Sequence, residues 1–255
     1  MSQIKIAAVS YLNSIAFTYG IQSSNLIDAS LTVATPVECT SLLRERAVDM
    51  ALIPVAAIPG LGEEYEIVTT HCIGASAAVR TVVLMSDERP EDIKRIWLDT
   101  HSQSSVKLLA HLAEHHFNIS PKWLLLNDMD RVEHAQDGDA FLLIGDKVFD
   151  YEGIFEYNFD LAEEWINHTG LPFVFAAWCA HKDVDREVVA DLEDALTWGV
   201  EHTFEAMREL RPEVEIEDGY LYLTESIDTM LDSAKRQAME RFWASNSRIT
   251  IDTKE

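Results

Sequence analysis

The stretch IKIAAVSYLNS, residues 4–14, decides the fold of this chain. Its first part, Ile4–Val9, is a short apolar run of the kind that forms a buried strand. Asn13 or Ser14 can cap a helix that continues to Gly20, because short polar side chains accept hydrogen bonds from the free N–H groups of a first helical turn. The stretch therefore predicts a strand-to-helix turn, which is where doubly wound folds hold ligand groups.

The elements that follow this turn continue the same alternation. Residues 31–34 read as a second strand, Pro36 opens a helix that runs to about Ala47, and Met50–Val55 reads as a third buried strand. Strands that alternate with helices predict a parallel sheet.

A second series of elements begins after Tyr65–Ser86, a segment that is too long for one strand. We expect two strands there, with a break or a crossing between lobes near Gly74. A second β-α-β-β series follows, with strands at 95–99, 122–127 and 140–145 and a helix at about 103–117.

The last third of the chain is predicted to return to the first lobe. A helix at about 161–168 precedes a strand at 172–180, and helices at 184–203 and 224–245 are expected to pack on the finished lobe. We predict an α/β protein in which residues 1–86 and 178–255 form a discontinuous lobe 1 and residues 87–177 form lobe 2. Its ligand is expected in a cleft between the lobes.

The composition restricts the partners of the chain. A formal net charge of −24 argues against nucleic acid, because the phosphate backbone rewards basic surfaces. The first residues lack the pattern of a signal peptide, and no apolar run reaches the roughly 18 residues of a membrane span. Cys39, Cys72 and Cys179 show no CxxC spacing and are read as small buried hydrophobes. We expect a cytoplasmic protein without a membrane partner, and no feature of the sequence specifies its oligomeric state.

Six segments are spread along the chain in a fixed order: SYLN at 10–13, DMALIPV at 49–55, VRTVVLMS at 79–86, WLDTHSQSSVKLL at 97–109, LLIGDKV at 142–148 and EWINHTGLPFVFAAW at 164–178. Together they resemble the MqnA family, the chorismate dehydratases of the futalosine route to menaquinone. The resemblance covers about residues 4–182 and implies the type-2 periplasmic-binding-protein fold. It also implies a hydro-lyase that converts chorismate to 3-[(1-carboxyvinyl)oxy]benzoate and water, with no metal and no cofactor.

Two other readings share this fold. A sister enzyme, the 1,4-dihydroxy-6-naphthoate synthase, usually begins with a pattern closer to Ser-Pro-Cys-Pro-Asn-Asp, so SYLN favours the dehydratase. A non-catalytic carboxylate-binding protein is the other alternative, and the lack of a signal-peptide pattern speaks against it. The family commonly continues with Thr-Lys-Pro after its SYLN asparagine, whereas Ser14-Ile15-Ala16 follows here. This departure leaves no lysine at that position.

The resemblance implies two catalytic residues. Asn13 matches the family asparagine at the reacting centre, but a neutral amide is a poor general base. We therefore expect Asn13 to orient the departing hydroxyl or a carboxylate of chorismate, while that carboxylate takes the ring proton. Thr81 stands where the family usually has a serine and keeps its hydroxyl, although it also suits strand packing. Ser10 and Tyr11 are expected on the cleft wall.

The remaining expected contacts are spread over both lobes. The segment before and at the start of the predicted helix at 103–117 offers free N–H groups and hydroxyls for a carboxylate, although ordinary capping uses the same atoms. Gly145 would let the backbone approach the ligand, and Arg80 is expected on the strand face opposite Thr81. Aromatic rings could contact the ring of the substrate, although buried aromatics are usually core residues. The predicted substrate-binding residues are Ser10, Tyr11, Arg80, Ser102, Gln103, Ser104, Ser105, Gly145, Phe175 and Trp178.

Three histidines on the predicted helix at 103–117 are considered as ligands of a metal site. His111 and His115 would share a helix face. Neither an acidic residue nor a cysteine is placed to complete a site, so His111, His115 and His116 are interpreted as exposed polar positions, and no metal is predicted.

Overall fold

The computed structural model describes residues 3–99, 103–210, 212, 214–247 and 249–252 of the chain. The chain divides into two compact units. Unit 1 combines Met1–Ala75 with Val174–Arg236, and unit 2 combines Ser76–Phe173 with Gln237–Glu255. The chain therefore passes from one unit to the other three times.

Strands and helices alternate along most of the described chain. The strands are β1 (Ile4–Val9), β2 (Ala29–Ala34), β3 (Met50–Pro54), β4 (Tyr65–Ala75), β5 (Val82–Ser86), β6 (Arg95–Leu98), β7 (Lys122–Leu125), β8 (Asp139–Ile144), β9 (Tyr157–Asp160), β10 (Phe173–His181), β11 (Asp228–Met230) and β12 (Ile251–Asp252). The helices are α1 (Ile15–Ser23), α2 (Pro36–Arg44), α3 (Gln103–His115), α4 (Asp130–Glu133), α5 (Leu161–Thr169), α6 (Arg186–Glu201), α7 (Thr203–Leu210), α8 (Ile216–Leu221) and α9 (Ser233–Ala244). A π-helix, Tyr222–Ser226, follows α8.

Unit 1 is built on a six-stranded mixed sheet. Its strand order is β11-β4-β10-β3-β1-β2. The predicted parallel pairing holds for β1 with β2 and for β1 with β3, whereas β10 runs antiparallel to β3 and β11 antiparallel to β4. Because of these directions, the ends of β1 and β3 and the beginning of β10 lie at one edge of the sheet. We call this place the unit 1 edge.

The helices of unit 1 begin and end where the sequence supplies caps. Thr35 and Glu38 form a capping box at the start of α2, with Pro36 as the first helical residue. α1 and α6 approach closely at two glycines: a Cβ atom on Gly20 would lie 2.1 Å from the carbonyl oxygen of Ala195, and one on Gly199 would lie 2.1 Å from that of Ala16. Both glycines are therefore required by the helix crossing itself.

Unit 2 has a second six-stranded mixed sheet. Its order is β12-β7-β6-β8-β5-β9. β6 is parallel to β7 and to β8, and β5 is antiparallel to β8 and to β9. The ends of β6 and β8 and the beginning of β5 therefore share one edge, which we call the unit 2 edge. α3 begins after β6 at this edge, and Asp160 caps α5 by accepting from the N–H groups of Ala162 and Glu163 at 3.0 and 3.2 Å.

Two expectations about the C-terminal part of the chain are corrected by the structure. The predicted helix at 224–245 contains β11, which pairs with β4, and only its second half is the helix α9. Gln237–Glu255 belongs to unit 2, although residues 178–255 were predicted in lobe 1. The physical reason is aromatic packing, because Phe242 of α9 meets Trp165 and Phe173 edge-on at centroid distances of 6.1 and 5.2 Å.

The break predicted within Tyr65–Ser86 is confirmed, and it corrects another expectation. β4 ends at Ala75 and β5 begins at Val82, so Arg80 and Thr81 precede the strand. Arg80 has a φ of +67°, which is left-handed backbone. The alternation that was expected to send Arg80 and Thr81 to opposite faces of a strand does not apply there.

The cores are apolar and include the cysteines. Cys39, Cys72 and Cys179 are free thiols and fully buried, as predicted. Burial raises the pKa of both Cys39 and Cys72 to about 12, so these thiols stay protonated and unreactive at neutral pH. Among the described helices, none combines the length and the apolar character needed to cross a membrane.

Candidate functional site

The segment Ser10–Asn13 lies at the unit 1 edge, directly after β1. Ser10 extends the sheet by donating its N–H to Ala34 at 3.0 Å, and a 3-10 turn then spans Leu12–Ser14. Ser14 occupies the cap position of α1 but makes no capping hydrogen bond with its side chain. Its hydroxyl instead donates to the carbonyl oxygens of Val9 and Tyr11. The serine therefore fixes the turn that carries Asn13.

Asn13 is the polar side chain that this turn presents. It is partly exposed, and no hydrogen bond within the described residues uses its amide. Asn13 also lines a cavity of about 220 Å³ inside unit 1, together with residues of α1, of α6 and α7, and of the segment that follows α8. An amide without a protein partner is available to a ligand as both donor and acceptor.

The two aromatic residues predicted to contact substrate have different surroundings. Phe175 is half-buried near the beginning of β10, where its carbonyl oxygen accepts from the N–H of Val55 at 2.8 Å. It therefore lies at the unit 1 edge. Trp178 pairs with Leu52 in the middle of the sheet, is 0% exposed and packs edge-on against Phe17 at 6.0 Å. The structure places Trp178 in the core of unit 1 and away from this edge.

Residues from the beginning of β5 and the end of β8 meet at the unit 2 edge. Gly145 donates its N–H to the carbonyl oxygen of Thr81 at 2.9 Å, and Thr81 is buried with 1% exposure. Gly145 has a φ of +74°, a conformation that favours glycine and lets the chain turn sharply into the following 3-10 helix. The structure therefore brings the backbone of Thr81 and Gly145 together.

Arg80 is held beside them by three interactions. Its backbone N–H donates to Asp160 at 2.6 Å, and its guanidinium pairs with Glu152 at 2.9 Å and lies 5.3 Å from the ring centroid of Phe149. Burial raises the pKa of Asp160, although the backbone hydrogen bonds that its carboxylate accepts act to lower this pKa. The side chains of Arg80 and Glu152 are 41% and 49% exposed, so their pair is worth little in stability and can open for an anion.

The start of α3 also lies at the unit 2 edge. Ser104 and Ser105 are each 1% exposed, and Gln103 is exposed at the first helical position. Ser102 lies outside the described residues. Backbone N–H groups of a first helical turn have no partner within the helix, and together with the helix dipole they favour an anion.

The unit 2 edge also contains an ion pair that was not predicted from the sequence. The ammonium group of Lys147 pairs with the carboxylate of Asp99, which follows β6 and is 3% exposed, whereas the Lys147 side chain is 33% exposed. The neutralised carboxylate removes a charge that would otherwise repel an anion at this edge. The sequence signal for this ion pair is the lysine in LLIGDKV.

Of the three histidines predicted at exposed positions, His115 is exposed, His116 is half-buried and His111 is buried. His111 is 8% exposed, and its ring lies 4.7 Å from that of His115 and 5.4 Å from that of His168, between centroids. His111 shares a hydrogen bond of 2.9 Å with Ser245, and burial lowers its pKa to about 4. No group of three or more potential metal ligands among the described residues is arranged to hold an ion.

Solved structures with the same architecture identify the fold. A protein called AF1704 from Archaeoglobus fulgidus superposes with a TM-score of 0.74 at 16% identity, over 94% of this chain and 95% of that one. The CA3427 gene product of Candida albicans, which has the periplasmic-binding-protein fold, gives 0.65 at 14% identity over 98% and 92%. The alkanesulfonate-binding protein SsuA from Xanthomonas axonopodis pv. citri gives 0.64 at 12% identity over 95% and 90%. The chain thus has the periplasmic-binding-protein-like fold.

A family model extends this result from fold to family. The model describes menaquinone biosynthesis and matches residues 4–247, which is nearly the whole chain. The match includes both the Ser10–Asn13 segment and the residues of the unit 2 edge. This chain belongs to the menaquinone biosynthesis family.

Proposed function

We propose that the protein is a chorismate dehydratase that forms 3-[(1-carboxyvinyl)oxy]benzoate and water. The observation that carries the proposal is the Asn13 amide, which has no partner among the described residues and lies on a turn that the Ser14 hydrogen bonds hold. The family match to menaquinone biosynthesis supports it. The SYLN sequence favours the dehydratase over its sister synthase.

The reaction needs three contributions from its surroundings. A ring proton must leave, a hydroxyl must depart with a proton as water, and two carboxylates must be held in place. Oxidation level does not change overall, and formation of the aromatic ring drives the elimination. The work that falls to the protein is therefore positioning and charge stabilisation.

Asn13 would orient the departing hydroxyl by donating a hydrogen bond to it. An amide does not take a proton at ordinary pH, so we assign the role of base to a carboxylate of chorismate itself. The Thr81 hydroxyl is the second proposed catalytic group, and it would hold the proton-accepting carboxylate in place. Its burial at 1% exposure restricts the rotamers available to it.

The unit 2 edge would bind a carboxylate of the substrate. Backbone N–H groups at the start of α3 and the hydroxyls of Ser104 and Ser105 would supply donors, and the backbone at Gly145 would leave room for an anion. Ser102, outside the described residues, is a further proposed donor. Arg80 and Lys147 supply positive charge. One relative of this fold, SsuA, was solved with MOPS, which carries a sulfonate, so the fold accommodates small organic anions.

The competing proposals are a non-catalytic carboxylate-binding protein and the sister naphthoate synthase. The resemblance to solute-binding proteins such as SsuA favours the first as an alternative. Both alternatives predict that chorismate is not dehydrated.

Incubation of the purified protein with chorismate separates these functions. The expected result is a new ultraviolet absorbance from the aromatic product and a mass that is lower by one water. Chorismate that binds without losing water would support the binding protein, and chorismate that is neither bound nor changed would leave the synthase. Protein inactivated by heat serves as the control for spontaneous decay of chorismate.

A further inference from the structure

The cavity beside Asn13 is lined partly by polar and partly by apolar side chains. Its polar lining consists of the Asn13 amide and three threonines, and its apolar lining consists of aliphatic side chains and one phenylalanine ring. None of the lining residues that the structure describes carries a charge. The lining residues are Asn13, Ala16, Phe17, Val200, Thr203, Leu223, Thr224, Ile227 and Thr229.

The threonine hydroxyls of this cavity can still accept hydrogen bonds. Thr203 donates its hydroxyl proton to the carbonyl oxygen of Val200 at 2.7 Å, and Thr224 donates to that of Tyr220 at 2.8 Å. Each oxygen keeps lone pairs after donating its proton. With the Asn13 amide, the polar wall therefore offers acceptors and donors to a neutral hydroxyl group.

The segment that lines this cavity has irregular backbone. The π-helix Tyr222–Ser226 carries Leu223 and Thr224, and the N–H of Ile227 reaches back to the carbonyl oxygen of Tyr222 at 3.3 Å. Thr229 lies on β11 where the pairing with β4 shifts register. Single π turns and bulges are frequent at functional sites because they re-aim side chains.

The size and charge of the cavity restrict its occupant. Its volume of about 220 Å³ exceeds the ~150 Å³ of a cavity that accepts benzene, so a six-membered ring with a small substituent fits. A carboxylate buried among these residues would lose its hydration without gaining a charged partner, which disfavours it.

We infer that this cavity binds an uncharged, hydroxyl-bearing six-membered ring, with the hydroxyl on the Asn13 and threonine wall. Under the proposed function, on which this assignment of the substrate depends, the occupant is the ring of chorismate with its departing hydroxyl. The carboxylates then stay outside the cavity. Six of the lining residues would contribute to ring specificity although they lie beyond the segments that carry the sequence resemblance: Val200, Thr203, Leu223, Thr224, Ile227 and Thr229.

The test uses 2-cyclohexen-1-ol, a neutral cyclic allylic alcohol, and methyl-resolved NMR of the full chain. We expect the alcohol to shift the methyl signals of Val200, Leu223 and Ile227. Thr229→Phe, which fills the cavity, should abolish these shifts, whereas Met230→Phe on the exposed neighbour should preserve them. Thr224→Trp, at an exposed position on the lining, provides a second blocking variant if Thr229→Phe does not fold.

The outcomes distinguish this inference from the proposed function. Absence of methyl shifts in the wild-type protein, or shifts that survive both blocking variants, overturns the cavity assignment whether or not chorismate is dehydrated. Cyclohexenol binding without chorismate turnover keeps the cavity and rejects the dehydratase. When turnover is present, Thr229→Phe should raise the KM for chorismate about tenfold or more, and Met230→Phe should leave it unchanged.

Discussion

The unit 1 edge and the unit 2 edge occupy the same topological place, at the ends of parallel strands, but they differ in charge. In unit 1, the Asn13 amide and the ring of the half-buried Phe175 are uncharged, and the cavity beside Asn13 is lined by uncharged hydroxyl and apolar groups. At the unit 2 edge the ion pairs Asp99–Lys147 and Arg80–Glu152 flank buried serines. Under the proposed function, the uncharged groups of unit 1 would suit a neutral ring, and the charged groups of unit 2 would suit an anion.

The largest effect is expected from a substitution that disrupts the packing of α1 against α6 in unit 1. Gly20→Ala places a methyl group 2.1 Å from the carbonyl oxygen of Ala195, so α1 and α6 must separate. We expect a loss of about 3 kcal/mol in the free energy of unfolding, measured by urea denaturation. Gly60→Ala is the matched control, because its methyl would meet the far end of a long side chain, the Arg44 guanidinium at 3.0 Å, instead of a helix backbone. Equal stability of the two variants would contradict the proposed role of the crossing.

The next effect concerns the neutral group at the unit 1 edge. Under the proposed function, Asn13→Ala should lower kcat for chorismate by about 100-fold, because it deletes the donor assigned to the departing hydroxyl. The control is Asn127→Ala, at an exposed position in unit 2. Steady-state kinetics with both variants check the prediction, and normal turnover by Asn13→Ala would remove this residue from the mechanism.

A pH effect is expected in unit 2. Burial holds the pKa of His111 at about 4, with smaller contributions from His115, His168 and Arg241 and an opposing one from Glu114. The unfolded state, with an ordinary pKa near 6.5, binds a proton more readily than the folded state. Stability is therefore complete above about pH 6.5 and falls as the pH approaches 4, by on the order of 2 kcal/mol.

This pH effect is measured by urea unfolding between pH 7.5 and 4.5. His111→Gln should flatten the decrease, because glutamine does not titrate in this range. His134→Gln is the control, because it changes a histidine outside the ring cluster of α3 and α5. A decrease of the same size in His111→Gln would assign the pH dependence to other groups.

Sequence reasoning predicted the alternating elements well and the long-range contacts poorly. Ile4–Val9 and Met50–Pro54 were recognisable because their apolar runs are bounded by turn residues. β11 was not, because three residues paired with a distant strand carry no periodic signal. The placement of Phe242 against Trp165 likewise depends on tertiary packing that a helical pattern does not encode.

The candidate site shows the same limit. Asn13 and Gly145 stood out because each follows a predicted strand, and strand ends gather at sheet edges. Thr81 was singled out by the family resemblance alone. Lys147 did not, because its importance comes from a buried carboxylate that lies 48 residues earlier in the chain. Trp178 was expected at the ligand because an aromatic side chain suits both a core and a site, and only its burial in the structure distinguishes the two.

The smallest effects are expected from two substitutions that change the charge at the unit 2 edge in opposite directions. Lys147→Met should weaken binding of the product 3-[(1-carboxyvinyl)oxy]benzoate about tenfold, because a cation is lost at the anion-binding edge. Asp99→Asn should instead tighten binding about threefold, because the ammonium group is then released from its buried partner. Titration calorimetry with the product measures both without turnover.

If the two substitutions change the affinity for the product in opposite directions, the ion pair acts on the ligand and is not merely structural. A structural pair would be damaged by either substitution, so both variants would weaken binding in parallel with their loss of stability. Lys122→Met, which removes a lysine paired with Asp252 elsewhere in unit 2, controls for the change in net charge. Salt should shrink both effects, because a dissolved anion competes for the same ammonium group and screens its charge. If Asp99→Asn binds the product more tightly at low salt and the gain disappears at high salt, the charge at this edge acts on the ligand directly.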